Sequence, residues 1–590
     1  MLKRDSLLSL VHLGIKAFEE VGNDVVQTAA FVIRRDNFSS KATFIKLDDC
    51  KDYTKKQSEF FEQGRWYSVD TEGIKRIPGE PLTAYWVPSR LFDAWNECHK
   101  IEEFGDYTGS QNVTGDNNRY LRLFWEVSQL TVIPGYWVPY AKGGNFRRYY
   151  GNIIHVVDWR EPARVFYQTN KSSNMLAEEY WYREGITYSA VTSRGTGFRR
   201  LPAGCIFDKG GASILTTSHT DEILALLNSR VASLLFSVLN PSINLQVRDI
   251  KTLPIKFTEG DVVANDSKRL QAIAQEDWDE QETSMGFTGD VLVGQGRSLI
   301  ADAYQARNAR LSEARSEVER LMMEIDDSFC SVYGIDGSEL PPFEDRDFPV
   351  GKPDRVRDAR SLVSYGIGCL LGRYSTQAEG LVLADAGSTL DDFREKVPGV
   401  TFMPDADNVL PILADEWFDD DVVTGFRAWL AHTFGEATVD ENVAWLEESL
   451  GRDLRSYLCR NFYSDHLKVY QKRPIYWMFQ SPKKSFQCLV YMHRYDEGTV
   501  GTILTGYLRP LEDKLRARLV VLDAPGASAA DAREANKARG MIAELEQWER
   551  EVVYPLAHER VSIDLDDGVK VNYNKFPKAL AKVVGLSDWK

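Results

Sequence analysis

The sequence predicts an α+β protein: two apolar strands forming the remnant edge of a sheet, a β-rich mixed domain, then a largely helical C-terminal region. Three observations carry this. Two apolar runs stand near the N-terminus at residues 7–13 and 25–33. Short aromatic-rich runs broken by Gly, Pro, Asn and Asp fill residues 51–258. Beyond residue 259, apolar side chains recur three and four positions apart among Glu, Arg and Ala, the spacing of one helix face. At 590 residues and 43% apolar content the chain can bury several cores, and about three to four domains are expected. The boundaries read as 1–50 for the strands, 51–258 for the mixed domain, 259–345 for a long-helix connector and 346–590 for the helical region.

In order along the chain, the runs at 7–13 and 25–33 read as buried strands around a short helical turn at 15–21, punctuated by Gly14 and Gly22. Two strands alone do not make a stable sheet, so other residues, of this chain or of another, must complete it. A single helix is expected over 218–239, from a Ser/Thr/Asp cap to the Asn240–Pro241 stop. Helices follow at 266–283, 298–333, 357–371, 422–434, 439–450 and 453–470, with a Pro-rich linker at 339–349 and an Ala/Glu/Arg-rich helix near 527–551.

Charge is divided unevenly. The net charge is -16, but residues 1–256 carry 32 Lys+Arg against 29 Asp+Glu, and residues 257–590 carry 39 against 58. The first half is most basic over 107–210, with 13 against 8. That segment holds three runs rich in Arg, Lys, Asn, aromatic residues and Gly: 114–122 (TGDNNRYLR), 137–152 (WVPYAKGGNFRRYYGN) and 187–200 (TYSAVTSRGTGFRR). Arg forks suit phosphates and guanine edges, Asn suits adenine, and Gly lets backbone approach a sugar-phosphate chain. Double-stranded DNA is therefore the expected partner. Lys142, Arg147, Arg148, Arg199 and Arg200 are candidate phosphate contacts; Asn117, Arg119, Asn145 and Arg194 are candidate base-edge contacts. Trp137, Tyr149 and Tyr150 are candidates to stack or wedge, with a core role as the alternative.

Other classes find less support. No apolar run approaches the roughly 20 residues of a membrane span, the N-terminus lacks the order of a secretory signal, and the seven cysteines are isolated, without a Cys-x-x-Cys pair. A cytoplasmic location is expected. The pairs Asp465–His466 and His493–Arg494 raise hydrolysis, but they show no metal-ligand spacing and no nucleophile elbow, so a structural role is expected and no metal site. A basic, aromatic island at 472–484 is open to DNA, a partner or the core.

The order of several short stretches resembles a family. These are 11–14 (VHLG) with 25–28 (VVQT), 114–117 (TGDN), 140–147 (YAKGGNFR), 240–244 (NPSIN), 363–368 (VSYGIG), and 472–477 (KRPIYW) followed by 491–495 (YMHRY). Together they resemble the C-terminal half of the PglX-type adenine-specific DNA methyltransferases of bacterial type 1 bacteriophage-exclusion (BREX) systems. The resemblance implies methyl transfer from S-adenosylmethionine to adenine N6, a target-recognition domain at 51–258, and strands at 7–33 belonging to the far end of the catalytic sheet. It also implies that the chain starts inside the methyltransferase domain.

That chemistry needs a Gly-rich cofactor turn and an (Asn/Asp)-Pro-Pro-(Tyr/Phe) loop for a flipped adenine. Residues 291–296 (VLVGQG) lack the third small residue and read as a loop before a helix. Residues 240–243 (NPSI) lack the second Pro and the aromatic ring, leaving a helix stop with a DNA contact open at Asn244 or Gln246. The expectation is a DNA-recognition portion with no catalytic or cofactor residues of its own, completed by the missing methyltransferase half in cis or trans, with other BREX proteins as further partners. A non-enzymatic interaction subunit is the alternative, and a stand-alone nuclease a third.

Overall fold

The computed structural model describes residues 5–18, 27–35, 41–50, 52–79, 81–88, 90–108, 111–190, 197–239, 247–526 and 528–589. Its first sheet has four strands in the order β2-β1-β3-β4: β1 (Ser6–Gly14), β2 (Thr28–Arg34), β3 (Lys41–Lys46) and β4 (Trp66–Asp70). β1 pairs antiparallel with β2 and parallel with β3, and β4 closes the far side antiparallel to β3. The strands that complete the pair at the N-terminus thus come from this chain. Leu7 and Leu10 of β1 and Phe44 of β3 are buried, with Tyr85 stacked on Phe44 at 4.7 Å. β1 ends at Gly14, whose φ of +66° and approach to Asp48 exclude a side chain: a Cβ there would lie 2.7 Å from Asp48 Cα.

The expectation that both N-terminal runs are buried fails for β2. Phe31, Val32 and Ile33 are 55%, 54% and 44% exposed, because β2 is the sheet's edge and no described residue is layered on it. Residues 15–18 are bends rather than a helical turn, and 19–26 lie outside the described residues.

Two further four-stranded sheets form the β-rich part. One orders Phe198–Leu201, Gly185–Tyr188, Ser213–Thr216 and Gly105–Asp106; the other orders Ile206–Phe207, Trp137–Ala141, His155–Asp158 and Leu121–Leu123. The single helix expected over 218–239 is two, Thr220–Asn228 and Arg230–Leu239, bent by 72°. Ser229 causes the break. It is extended (φ -72°, ψ 159°), and its Oγ accepts from the Ala232 N–H, capping the second helix.

The helical region follows its spacing closely. Ile300–Tyr333 runs unbroken and ends at left-handed Gly334, while Val422–Phe434 and Val439–Leu450 match the expected bounds. The expected helix at 453–470 is interrupted by a π turn at Leu458–Phe462. The aromatic part of the 472–484 island is core, while Lys472, Lys483 and Lys484 are exposed: Tyr476–Gln480 pairs antiparallel with Gln487–Tyr491, and Tyr476, Trp477 and Tyr491 are fully buried. The helix Arg509–Leu522 has no counterpart in the sequence reading.

The linker at 339–349 is a packed strap. Phe343 lies under Arg230 at 3.9 Å and Phe348 under Arg315 at 4.4 Å, and the Asp347 carboxylate accepts from the Glu344 N–H. Apolar packing also crosses the chain's halves. Leu123, Phe124, Trp125, Trp137 and Val156 share one core with residues of 287–586, while a second core joins β1 and β3 to residues as far as Val350. No single helix among the described residues is long and apolar enough to cross a membrane.

Candidate nucleic-acid interface

The basic segment presents its side chains from strands and turns. Lys142 follows the strand Trp137–Ala141, which runs parallel to Ile206–Phe207. This register sets its Nζ 2.6 Å from Asp208 Oδ2 and over the Tyr140 ring, while Asp208 Oδ1 accepts the N–H groups of Gly210 and Gly211. Arg199 and Arg200 are neighbours on one strand and so face opposite sides. Arg200 points outward to Glu184 at 2.7 Å and Asp221 at 3.5 Å.

Arg199 points inward and is 1% exposed. Its contacts are long, 3.5 Å to Arg147 O, 3.3 Å to Gly197 O and 3.4 Å to Ser189 Oγ, and none is a carboxylate. Burial, and secondarily the charge of Arg147, pull its pKa down to about 10. Gly197 permits this packing, since a Cβ there would sit 2.2 Å from Arg147 O.

Arg147 and Arg148 diverge in the same way. Arg147 Nη2 donates to Asp277 Oδ2 at 2.6 Å and to Pro349 O at 3.2 Å, with its guanidinium over Trp278. Arg148 is buried and pairs with Asp347 at 2.7 Å. Asn117, Arg119 and Asn145 are exposed. Arg119 lies over the rings of Tyr120 and Phe166, and Asn117 Oδ1 accepts from Thr114 Oγ1. Arg194 lies outside the described residues. Of the aromatic candidates, Trp137 and Tyr149 are buried and Tyr150 half-buried, which puts the first two in the core.

The structure therefore gathers Arg147, Arg148 and Arg199 into one cluster, engages Lys142 and Arg200 in ion pairs elsewhere, and leaves Asn117, Arg119 and Asn145 free to solvent. A cleft of about 1260 Å³ opens beside the cluster, lined among others by Asn145, Phe146, Arg147, Phe348, Pro349 and Lys352. The sequence reading missed the carboxylates that meet these cations. Asp277 and Asp347 lie 130 and 199 residues beyond their arginines, and nothing in their local sequence signals the pairing.

A second polar group joins the halves. Asp566 accepts from Tyr136 Oη at 2.6 Å, Trp137 Nε1 at 2.7 Å and Arg160 Nη1 at 2.9 Å, and its backbone oxygen accepts from Arg122 Nε. The histidines of the hydrolysis alternative are buried; desolvation lowers both His466 and His493 to about 3, so each is neutral. His466 Nε2 accepts the N–H groups of Ile475 and Tyr476, and His493 Nε2 meets Val127 O. Among the described residues no group of three or more His, Cys, Asp or Glu is placed to hold a metal. Residues 291–296 form turns and bends with Gly294 and Gly296 facing open space, not a strand feeding a helix, and so do not fit a cradle for S-adenosylmethionine. Residues 240–246 lie outside the described residues.

No family model matches the chain. It is 31% identical, over 96% of its length, to the adenine-specific methyltransferase PglX of Lacticaseibacillus casei (strain Zhang), and 29% identical, over its whole length, to the adenine-specific methyltransferase BrxX of Escherichia coli O9:H4 (strain HS). Over nearly its whole length the chain is similar to these PglX-type adenine-specific methyltransferases. It spans about half the length of the curated relatives it matches, 51% and 52%. The PglX-type relationship covers both the basic segment and the helical region that packs against it.

Proposed function

We propose that this chain is the DNA-recognition and C-terminal portion of an S-adenosylmethionine-dependent N6-adenine DNA methyltransferase acting in BREX phage defence. The observation that carries this is the match of nearly the whole chain to adenine-specific methyltransferases about twice its length. Methyl transfer then requires the other methyltransferase half, in cis or in trans, to supply the cofactor turn and the adenine-holding loop. The bare edge of β2, with Phe31, Val32 and Ile33 exposed, is where that half docks. Duplex DNA contacts the 107–210 segment, with Asn117, Arg119 and Asn145 reading base edges and Arg147 and Arg148 available to phosphates on rearrangement.

Supplying the missing half in trans and measuring adenine methylation of duplex DNA tests this. Activity is expected only when both halves are present. Methylation by this chain alone, or saturable binding of S-adenosylmethionine to it, refutes the division of labour. A second reading, a non-enzymatic interaction subunit of a defence complex, is favoured by the ion pairing of Lys142, Arg147, Arg148 and Arg200; unaltered methylation without this chain would select it.

A further inference from the structure

We propose that residues 344–351 form an acidic strap that, with Asp277, holds the Arg147–Arg148–Arg199 cluster closed in place of DNA phosphates, so that duplex binding displaces it. The inference rests on the DNA-recognition reading above and adds a regulatory element to it.

The cluster is short of negative charge. A guanidinium carries five N–H donors, yet among the described residues no acceptor meets Arg147 Nε, Arg148 Nε and Nη1, or Arg199 Nε, all of them buried. Asp277 pairs with Arg147 and Asp347 with Arg148, which also feels the Asp326 carboxylate that Arg230 holds, while Arg199 has no carboxylate partner. Buried donors without acceptors each carry a desolvation penalty, and a buried cation without a counter-charge carries a larger one. A phosphodiester would supply the missing charge and acceptors, and Arg forks match its oxygens.

The strap is fixed at Val350 and more loosely held over its exposed residues 344–346. Asp277 ties it to the cluster: one oxygen accepts from Arg147 and the other from the Gly351 N–H at 2.9 Å, while Pro349 O takes a second bond from Arg147. Its outer side is held at Asp345, exposed and paired with Arg315 and Lys352, and exposed pairs contribute little to stability. Phe348 is half-buried against Arg315 and the second core, while Val350 is buried in that core and is the strap's fixed end. The 1260 Å³ cleft opens along the same residues and gives a displaced strap, or an entering backbone, room.

The test uses the full 590-residue chain, a labelled duplex of about 30 base pairs and salt-dependent anisotropy between 50 and 200 mM KCl, a range over which phosphate contacts dominate the response. Asp277→Asn with Asp347→Asn keeps an acceptor beside each arginine and removes the competing charge. Duplex affinity should rise about tenfold and the log–log salt slope steepen by about 2, near 0.9 per phosphate engaged. Unchanged or weaker binding by a variant that melts like the parent overturns the strap and leaves the DNA reading standing. Adding Arg147→Ala and Arg148→Ala should abolish the gain; duplex binding indifferent to those arginines overturns the DNA reading itself. If the Asn variant does not fold, hydrogen exchange of the unaltered chain decides: exchange over 344–351 should quicken on adding duplex, and unchanged or slower exchange overturns the proposal.

Discussion

Replacing Asp566 by Ala should unfasten the β-rich segment from the helical region. The carboxylate accepts three side-chain bonds, from Tyr136, Trp137 and Arg160. Trp137 is fully buried, so its Nε1 would lose its partner with no water to replace it, at about 1–3 kcal/mol. The Tyr136 hydroxyl, half-buried, adds about 1 kcal/mol. Arg160 adds little, because it is about a third exposed and keeps Asp158 at 2.7 Å. The sum is about 3 kcal/mol of local opening free energy, which at 1.4 kcal/mol per decade is roughly a 100-fold change. A chain with two large cores need not unfold in one step, so a global melt is a poor gauge. Native-state hydrogen exchange over 136–160 and 564–569 is the right one. Protection there should fall by that factor, and by much less in Asp566→Asn, which keeps one carbonyl acceptor. Protection within threefold of the parent in Asp566→Ala would show that apolar packing alone holds the two parts together.

Four further outcomes are expected. Asp290 is enclosed, accepts the Leu292 N–H, and is raised by burial to about 7. Its folded pKa exceeds the unfolded 3.8, so the native state keeps a proton the unfolded state gives up, and its contribution is present below about pH 4 and lost as pH rises to 7. Chemical denaturation of Asp290→Asn from pH 4 to 7 should lack that decline; identical pH profiles would refute it. His466 and His493 work in the other direction, since their depressed pKa values withdraw stability as pH falls from 6.5 toward 3, and replacing either with Gln should flatten the acid limb of the melting curve. Ser229→Ala removes the cap at the helix bend and should cost about 1 kcal/mol by urea titration, with faster exchange confined to the start of Arg230–Leu239. Phe31→Ser with Val32→Lys should reduce self-association in sedimentation and weaken pairing with a separately supplied methyltransferase half, while a pairing of equal strength would remove β2 from that interface.

What the sequence made legible was what local spacing controls. The helices at 300–333, 422–434 and 439–450 each carry an apolar stripe and an end signal, Gly334 or Gly435 or Gly451, and they form where expected. The helix over 218–239 was misread because Ser229, polar within an apolar run, caps a new helix through its hydroxyl, and an apolar run looks the same bent or straight. The strand pair at 476–491 read as a basic island because its flanking lysines and arginine frame a strand whose four apolar residues, 476–479, are buried. For the candidate interface, sequence placed the basic residues in one segment but gave no sign of Asp277, Asp347 or Asp208, since ion pairing across such separations is decided by tertiary packing. Alternation on the strand Phe198–Leu201 was the one usable clue, requiring Arg199 and Arg200 to face apart.

The apolar seat shared by Leu123, Trp125, Trp137 and the residues of 287–586 sets terms for anyone who would transplant the basic segment. Trp125 donates to Arg473 O and Glu126 accepts from the Val569 N–H, so the segment is upholstered by the far end of the sequence. A graft severed near residue 258 would carry its tryptophans into water. Under the proposed recognition role, exchanging specificity between such proteins is therefore an exercise in moving loops upon a retained chassis, not in swapping a detachable head.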